Sequence, residues 1–427
     1  MNREVGSQDV TRQEKPYRWD IILLSSLALI LLLPSFVFVV LDQSSLAAGI
    51  LVAGMLVAVL NTRNILNFRF SGIVFLLLLL LCAISASAFF SLASSGEVKP
   101  LMSLVVIVVL LAAVALGRRV HTMNYEVLIR AVYYFLLFLV ALGWLALIWT
   151  PAAWGYTLLE KPVFPYSEES HYALAIGMLA CGQVYVDKTS RSLFILTNMF
   201  LLAILFPNLT LLVFFLIAAF IFTMRFQPIF FWTLLVSGLI GAIFFAQFVL
   251  PHFEYFSSRL DFSETNNLTT LVFFQGWAMA WLNLVETQGV GLGFQMLGEV
   301  GTTYPHYTAR IVDLTGREFN TSDGGLLAAK VIAELGILGV VLVGLYLIFI
   351  LRFVIKGNAW RYRVNILPLV ERQEAMKRLM LLGFAFGFLV EVFLRGYGYF
   401  SPGVFWLVTI LYALDRMRAR RQSELTE

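Results

Sequence analysis

Long uncharged apolar runs alternate with short polar breaks along nearly the whole chain, as in Ile73–Phe90 and Met102–Leu116. A run of about 18 apolar residues is long enough to cross the hydrocarbon core as a helix. Backbone in lipid must satisfy its own N–H and C=O groups, and the two-residue alternation of a membrane barrel is absent, so the runs predict helices. They fall near residues 21–41, 45–60, 72–91, 101–117, 129–150, 170–186, 192–206, 209–224, 229–250, 326–351, 379–394 and 402–415. The expected fold is an all-α polytopic membrane protein with about twelve transmembrane helices. Residues 1–250 hold the first nine spans, and residues 251–325 form one large loop between the ninth and tenth. Residues 326–427 hold the last three spans and a basic tail. Within the loop, Leu268–Val285 reads as a helix with Trp277 and Trp281 one turn apart, lying along or dipping into the membrane surface. The first run, Ile21–Leu41, exceeds a signal-peptide core and reads as an uncleaved span.

Composition sharpens this picture. Of 427 residues, 60% are hydrophobic and 13% charged, more apolar surface than a soluble fold can hide. The net charge of +4 is explained by its distribution and does not imply nucleic acid. If the N-terminus is cytoplasmic, every loop on that side carries a cation: Arg63 and Arg69, Arg118 and Arg119, Lys188 and Arg191, Arg225, the stretch Lys356 to Arg378, and Arg416 to Arg421. That is the positive-inside pattern. It places both termini in the cytoplasm and the large loop on the outer face of an inner membrane. Cys82 and Cys181 each sit inside an apolar run and read as packing residues.

Seven cations remain on the outer side: Lys99, Lys161, Arg259, Arg310, Arg317, Lys330 and Arg395. Charges that resist the inside bias need a reason, and binding an anionic ligand is one. Guanidinium forks suit phosphate; for Arg310 and Arg317, salt bridges within the loop are an equal alternative. Asp323, Lys330 and Glu334 fall on one helical stripe, with Asp323 also a candidate cap for that helix. Glu391 and Arg395 have the spacing of an i, i+4 pair. Glu168 and His171 share a face at the start of the sixth span, where either can take a proton from a hydroxyl. Gly289–Gly298 (GVGLGFQMLG) has glycines without a surrounding strand–helix unit, so it reads as a loop that lets backbone approach a ligand or the membrane. No metal-binding or nucleotide-binding motif is present, and no cofactor is expected.

Five short segments together resemble bacterial O-antigen polymerases, the Wzy-type enzymes of the wider O-antigen polymerase and ligase superfamily. They are Ser167–Leu174 (SEESHYAL), Asn267–Trp277 (NLTTLVFFQGW), GVGLGFQMLG, Asn320–Gly336 (NTSDGGLLAAKVIAELG) and Arg395–Phe400 (RGYGYF). The resemblance lies in the second half of the chain. It implies a GT-C-like fold and transfer of a growing glycan from undecaprenyl pyrophosphate to a new lipid-linked repeat unit. It also implies membrane lipid and a chain-length regulator as partners. In that reading Arg259, Lys330 and Arg395, with Arg310 and Arg317, hold the pyrophosphate. Glu168 and His171 are candidate bases with Asp323 in reserve. Trp277, Tyr397 and Tyr399 stack on sugar rings, line the lipid path, or pack. Two alternatives stand beside it. One is an O-antigen ligase, although Asp323 and two glycines occupy the region where ligases commonly carry a histidine. The other is a lipid-linked-oligosaccharide flippase or transporter, although the sequence shows no paired broken helices.

Overall fold

A computed structural model describes residues 16–43, 45–66, 70–149, 151, 155–159, 162–226, 232–233, 236–238, 240, 267–364 and 366–426. The described residues are helical, with no strand beyond an isolated bridge between Val163 and Tyr166. The helices are α1 (Pro16–Leu31), α2 (Leu33–Val40), α3 (Ala47–Leu60), α4 (Thr62–Leu66), α5 (Gly72–Ser95), α6 (Ser103–Thr122), α7 (Tyr125–Ala146), α8 (Glu169–Val186), α9 (Thr189–Leu205) and α10 (Leu209–Thr223). They continue with α11 (Leu268–Glu286), α12 (His306–Thr315), α13 (Leu327–Val364), α14 (Leu369–Gly387), α15 (Leu389–Phe393) and α16 (Pro402–Thr426).

Among the described residues, six helical stretches are long and apolar enough to cross a membrane: Ile21–Val40, Gly72–Ala93, Lys99–Thr122, Tyr125–Ala146, Leu268–Glu286 and Leu327–Gly357. Three more, α3, α9 and α10, are apolar but shorter. The described residues thus form an all-helical, membrane-embedded structure. Most of the expected span at 229–250, and residues 251–266 of the expected loop, lie outside the described residues. One expectation about that loop changes: α11 is itself long and apolar enough to cross, and it packs against α13. Cys181 is buried, Cys82 is exposed, and neither is in a disulfide.

Helix α8 is the centre of the bundle. Every residue from Tyr172 to Val186 is buried, as expected of a helix that is apolar all round. It lies against α14 and α10. Its C-terminal carbonyls are met by side chains from elsewhere. Arg225 donates to Val184 and Asp187 at 3.1 and 2.5 Å, and Arg361 donates to Tyr185 at 3.3 Å. Guanidinium groups satisfy the orphan carbonyls and suit the negative end of the helix. At the other end, Asn208 donates to the Glu169 carbonyl at 2.7 Å. The helix is pinned at both ends, which fixes where Glu168 and His171 stand.

Helix α13 is interrupted at Gly336 (φ 58°, ψ −132°). Only glycine adopts that conformation readily, and a Cβ there would collide with the Gly289 carbonyl. The GVGLGFQMLG segment repairs the break. Ile337 N–H donates to Gly289 at 2.8 Å, while Leu292 and Gly293 N–H donate to Ala333 and Glu334 carbonyls at 2.9 Å. Backbone groups freed by a break in an apolar setting need such partners. The glycines therefore serve close approach of backbone to a helix.

Candidate functional site

The backbone of Glu168 is extended (φ −151°, ψ 162°) at the N-cap of α8, and its side chain makes no capping bond. Its carboxylate is free to turn sideways. One oxygen, Oε1, meets Ser170 Oγ at 2.5 Å, His171 Nε2 at 2.8 Å and Arg395 Nη2 at 2.6 Å. Burial opposes ionisation of Glu168, but His171, Arg395 and the hydrogen bonds from His171 and Ser170 outweigh it and hold the carboxyl well below the usual carboxylate range. Burial likewise opposes the charge on Arg395, and Glu168 more than restores it. An ionised carboxylate only accepts hydrogen bonds, so Nε2 of His171 carries the proton. In the neutral ring Nδ1 is then an acceptor, and Ser167 Oγ lies 2.8 Å from it. The Tyr397 ring stands edge-on to the imidazole with centroids 4.1 Å apart.

Arg395 reaches Glu168 because α15 ends at Phe393. This overturns the expected pairing of Glu391 with Arg395. An i, i+4 contact needs continuous helix, and here the helix stops before Arg395 and the chain turns. Glu391 stays buried, with Oε1 unpartnered.

A second cluster lies beside the first. Lys330 Nζ is bound to the Ser322 carbonyl at 2.5 Å and lies 3.2 Å from Glu334 and 3.9 Å from Asp323. Lys330 and Glu334 thus meet one turn apart on the helix, whereas Asp323 approaches from the preceding turn and is not on the helical stripe. Asp323 does not cap α13, which begins four residues later at Leu327; it is half-exposed beside Lys330. Glu334 also accepts Gln295 N–H at 2.8 Å and Leu297 N–H at 3.1 Å. Lys330 sits 5.6 Å from the Tyr399 ring, which stacks on Phe294 at 4.9 Å. The ammonium already has oxygen partners on the protein, and Lys330 braces this part of the fold.

The RGYGYF turn joins the two clusters. Gly396 N–H donates to Gly325 at 3.1 Å. Gly398 (φ 74°) passes so close that a Cβ would stand 3.3 Å from Asp323 Oδ1 and 3.1 Å from Lys330 Cδ. Four segments singled out in the sequence thus converge: 165–174, 289–298, 320–336 and 395–400.

The remaining candidates are placed as follows. Trp277 stacks on Phe393 at 6.2 Å, next to the turn. Arg310 is exposed on α12, and Arg317 lies 4.5 Å over the Phe319 ring just after it. Arg259 lies outside the described residues. Among the described residues, no group of three His, Cys, Asp or Glu side chains is gathered to hold a metal ion. Sequence reasoning missed Ser167 and Ser170. Their signal was position alone, one on each side of the Glu168–Glu169 pair in SEESHYAL.

Chemically, the first cluster offers an imidazole nitrogen that accepts from a hydroxyl, a carboxylate behind it, and a guanidinium beside it. No protein-family model matches the chain, and no curated protein matches it.

Proposed function

We propose that this protein is a polytopic inner-membrane glycosyltransferase that polymerises a surface glycan at the periplasmic face, moving a growing chain from undecaprenyl pyrophosphate to a new lipid-linked repeat unit. The reading includes about twelve spans and two cytoplasmic termini. It is carried by one observation: Glu168, His171 and Arg395 meet at one end of α8, at 2.8 and 2.6 Å. His171 is the better base. Glu168 is held ionised by its donors and binds protons weakly, whereas Nδ1 of His171 already faces a hydroxyl oxygen. In the reaction the acceptor hydroxyl oxygen bonds to the anomeric carbon as the carbon–oxygen bond to the diphosphate breaks. The hydroxyl proton passes to His171, and Glu168 stabilises the imidazolium. Arg395 gives one N–H group to Glu168, and its remaining N–H groups stabilise the charge of the departing diphosphate.

The lipopolysaccharide banding pattern of a deletion strain tests this. A polymerase deletion leaves single-repeat lipopolysaccharide; complete loss of repeats from the core points to a ligase. A second reading, a lipid-linked-oligosaccharide transporter, is favoured by the interruption of α13 at Gly336, since broken helices mark many transport sites. Glycosyl transfer by purified protein in detergent, without any gradient, excludes it.

A further inference from the structure

Behind His171 lies a small cleft of about 10 Å³, room for one water-sized group. His171, Tyr397, Tyr166, Glu391, Ser35 and Gly403 contribute to its walls, and no lysine or arginine does. Glu391 is only 3% exposed, and Tyr166 1%. Glu391 Oε1 and the Tyr166 hydroxyl both lack hydrogen-bond partners. Leaving such groups unmatched costs about 1–3 kcal/mol each, so two of them in one cleft indicate a polar guest. Two glycines make room for the carboxyl. A Cβ on Gly403 would collide with Glu391 Oε2, and one on Gly396 would lie 3.5 Å from Glu391 Cγ. The chain is thus shaped around this acid. No basic side chain lines the cleft, so burial there favours the neutral form of a carboxyl over the charged one. A neutral carboxyl and a phenol each donate and accept. Their complement is a neutral hydroxyl, which does the same, and not a phosphate.

We propose that Glu391 and Tyr166 form a subsite for one neutral hydroxyl of the acceptor glycan, setting its approach to His171. This rests on the glycosyltransferase reading. The test uses full-length protein in detergent and the apolar reagent dicyclohexylcarbodiimide. The Glu391 O–H adds across one C=N bond. Oxygen bonds to the central carbon, the proton goes to nitrogen, and the adduct rearranges to an N-acylurea with no atom lost. Mass spectrometry should locate the adduct at Glu391, and Glu391→Gln should abolish it. Lipid-linked repeat units extracted from the producing strain should protect Glu391. Tyr166→Phe should raise the concentration needed for protection about tenfold, the worth of one hydrogen bond. No adduct at Glu391, or protection unchanged in Tyr166→Phe, overturns the subsite. Transfer without protection also overturns it and leaves the glycosyltransferase reading standing. Protection without transfer sinks that reading alone, and loss of both sinks both.

Discussion

Two clusters, built from similar parts, stand on either side of one turn. Arg395, Glu168 and Tyr397 make the first, and Lys330, Glu334 and Tyr399 the second. Their solvation differs. The Glu168 and Arg395 side chains are 38% and 32% exposed, whereas those of Glu334 and Lys330 are 0% and 2% exposed. Their partners differ too. Glu334 accepts two backbone N–H groups, and Lys330 is held by a carbonyl. Glu168 is held by side chains. Backbone partners hardly move, so the second cluster is a brace. Side-chain partners can reorient, so the first is the cluster on which the proposed chemistry draws. A cation and a carboxylate side by side do not identify a site; what else holds them does.

The largest effect should come from breaking the brace. Glu334→Ala strands Lys330 without its buried carboxylate, and losing one partner of a buried pair costs about 3–5 kcal/mol. The variant should fall sharply in membrane abundance and lower the melting temperature in detergent. A normal level and melting temperature would erase the contrast. Next comes Arg395→Ala. Protein abundance should stay normal while the transfer rate falls about 10²–10³-fold, as for removal of one preorganised donor. Arg395→Lys should also be impaired, because the fork is lost. Full-length glycan ladders from Arg395→Ala would remove the diphosphate role.

The pH response is subtler. The folded-state pKa of Glu168 is depressed, so its contribution to stability is present above the ordinary carboxylate value of about 4.3 and is lost as pH falls through the depressed value. The melting difference between wild type and Glu168→Gln should therefore hold steady from pH 8 to about pH 5 and shrink only in stronger acid. A difference that fades near neutrality would show that Arg395 and His171 do not hold the charge. The smallest effect belongs to Lys99, whose ammonium lies 2.6 Å from Glu299 with both side chains partly exposed. Lys99→Ala should cost less than about 1 kcal/mol, and that cost should shrink in high salt.

Much of this was legible in the chain. The apolar runs locate the helices because burial and length write themselves into local composition. The spacing of Lys330 and Glu334 gave their pairing because both stand on the same unbroken helical stretch. The partner of Arg395 was not legible. Its spacing from Glu391 points to one answer, and the end of α15 at Phe393 dictates another. Gly336 was also hidden. It is flanked by apolar residues on both sides, and only the docking of Gly289 and Val290 against it reveals the break. Lys330 shows a further blind spot. Sequence places a cation but cannot say whether its valences are already filled from 322 and 334.

The turn from Arg395 to Phe400 spans six residues and touches both clusters. Arg395 stands at one end of it and, four positions on, the Tyr399 ring packs on Phe294 and lies 5.6 Å from the Lys330 ammonium. If an anion binds Arg395 as proposed, a reporter placed near Phe294 should register its arrival.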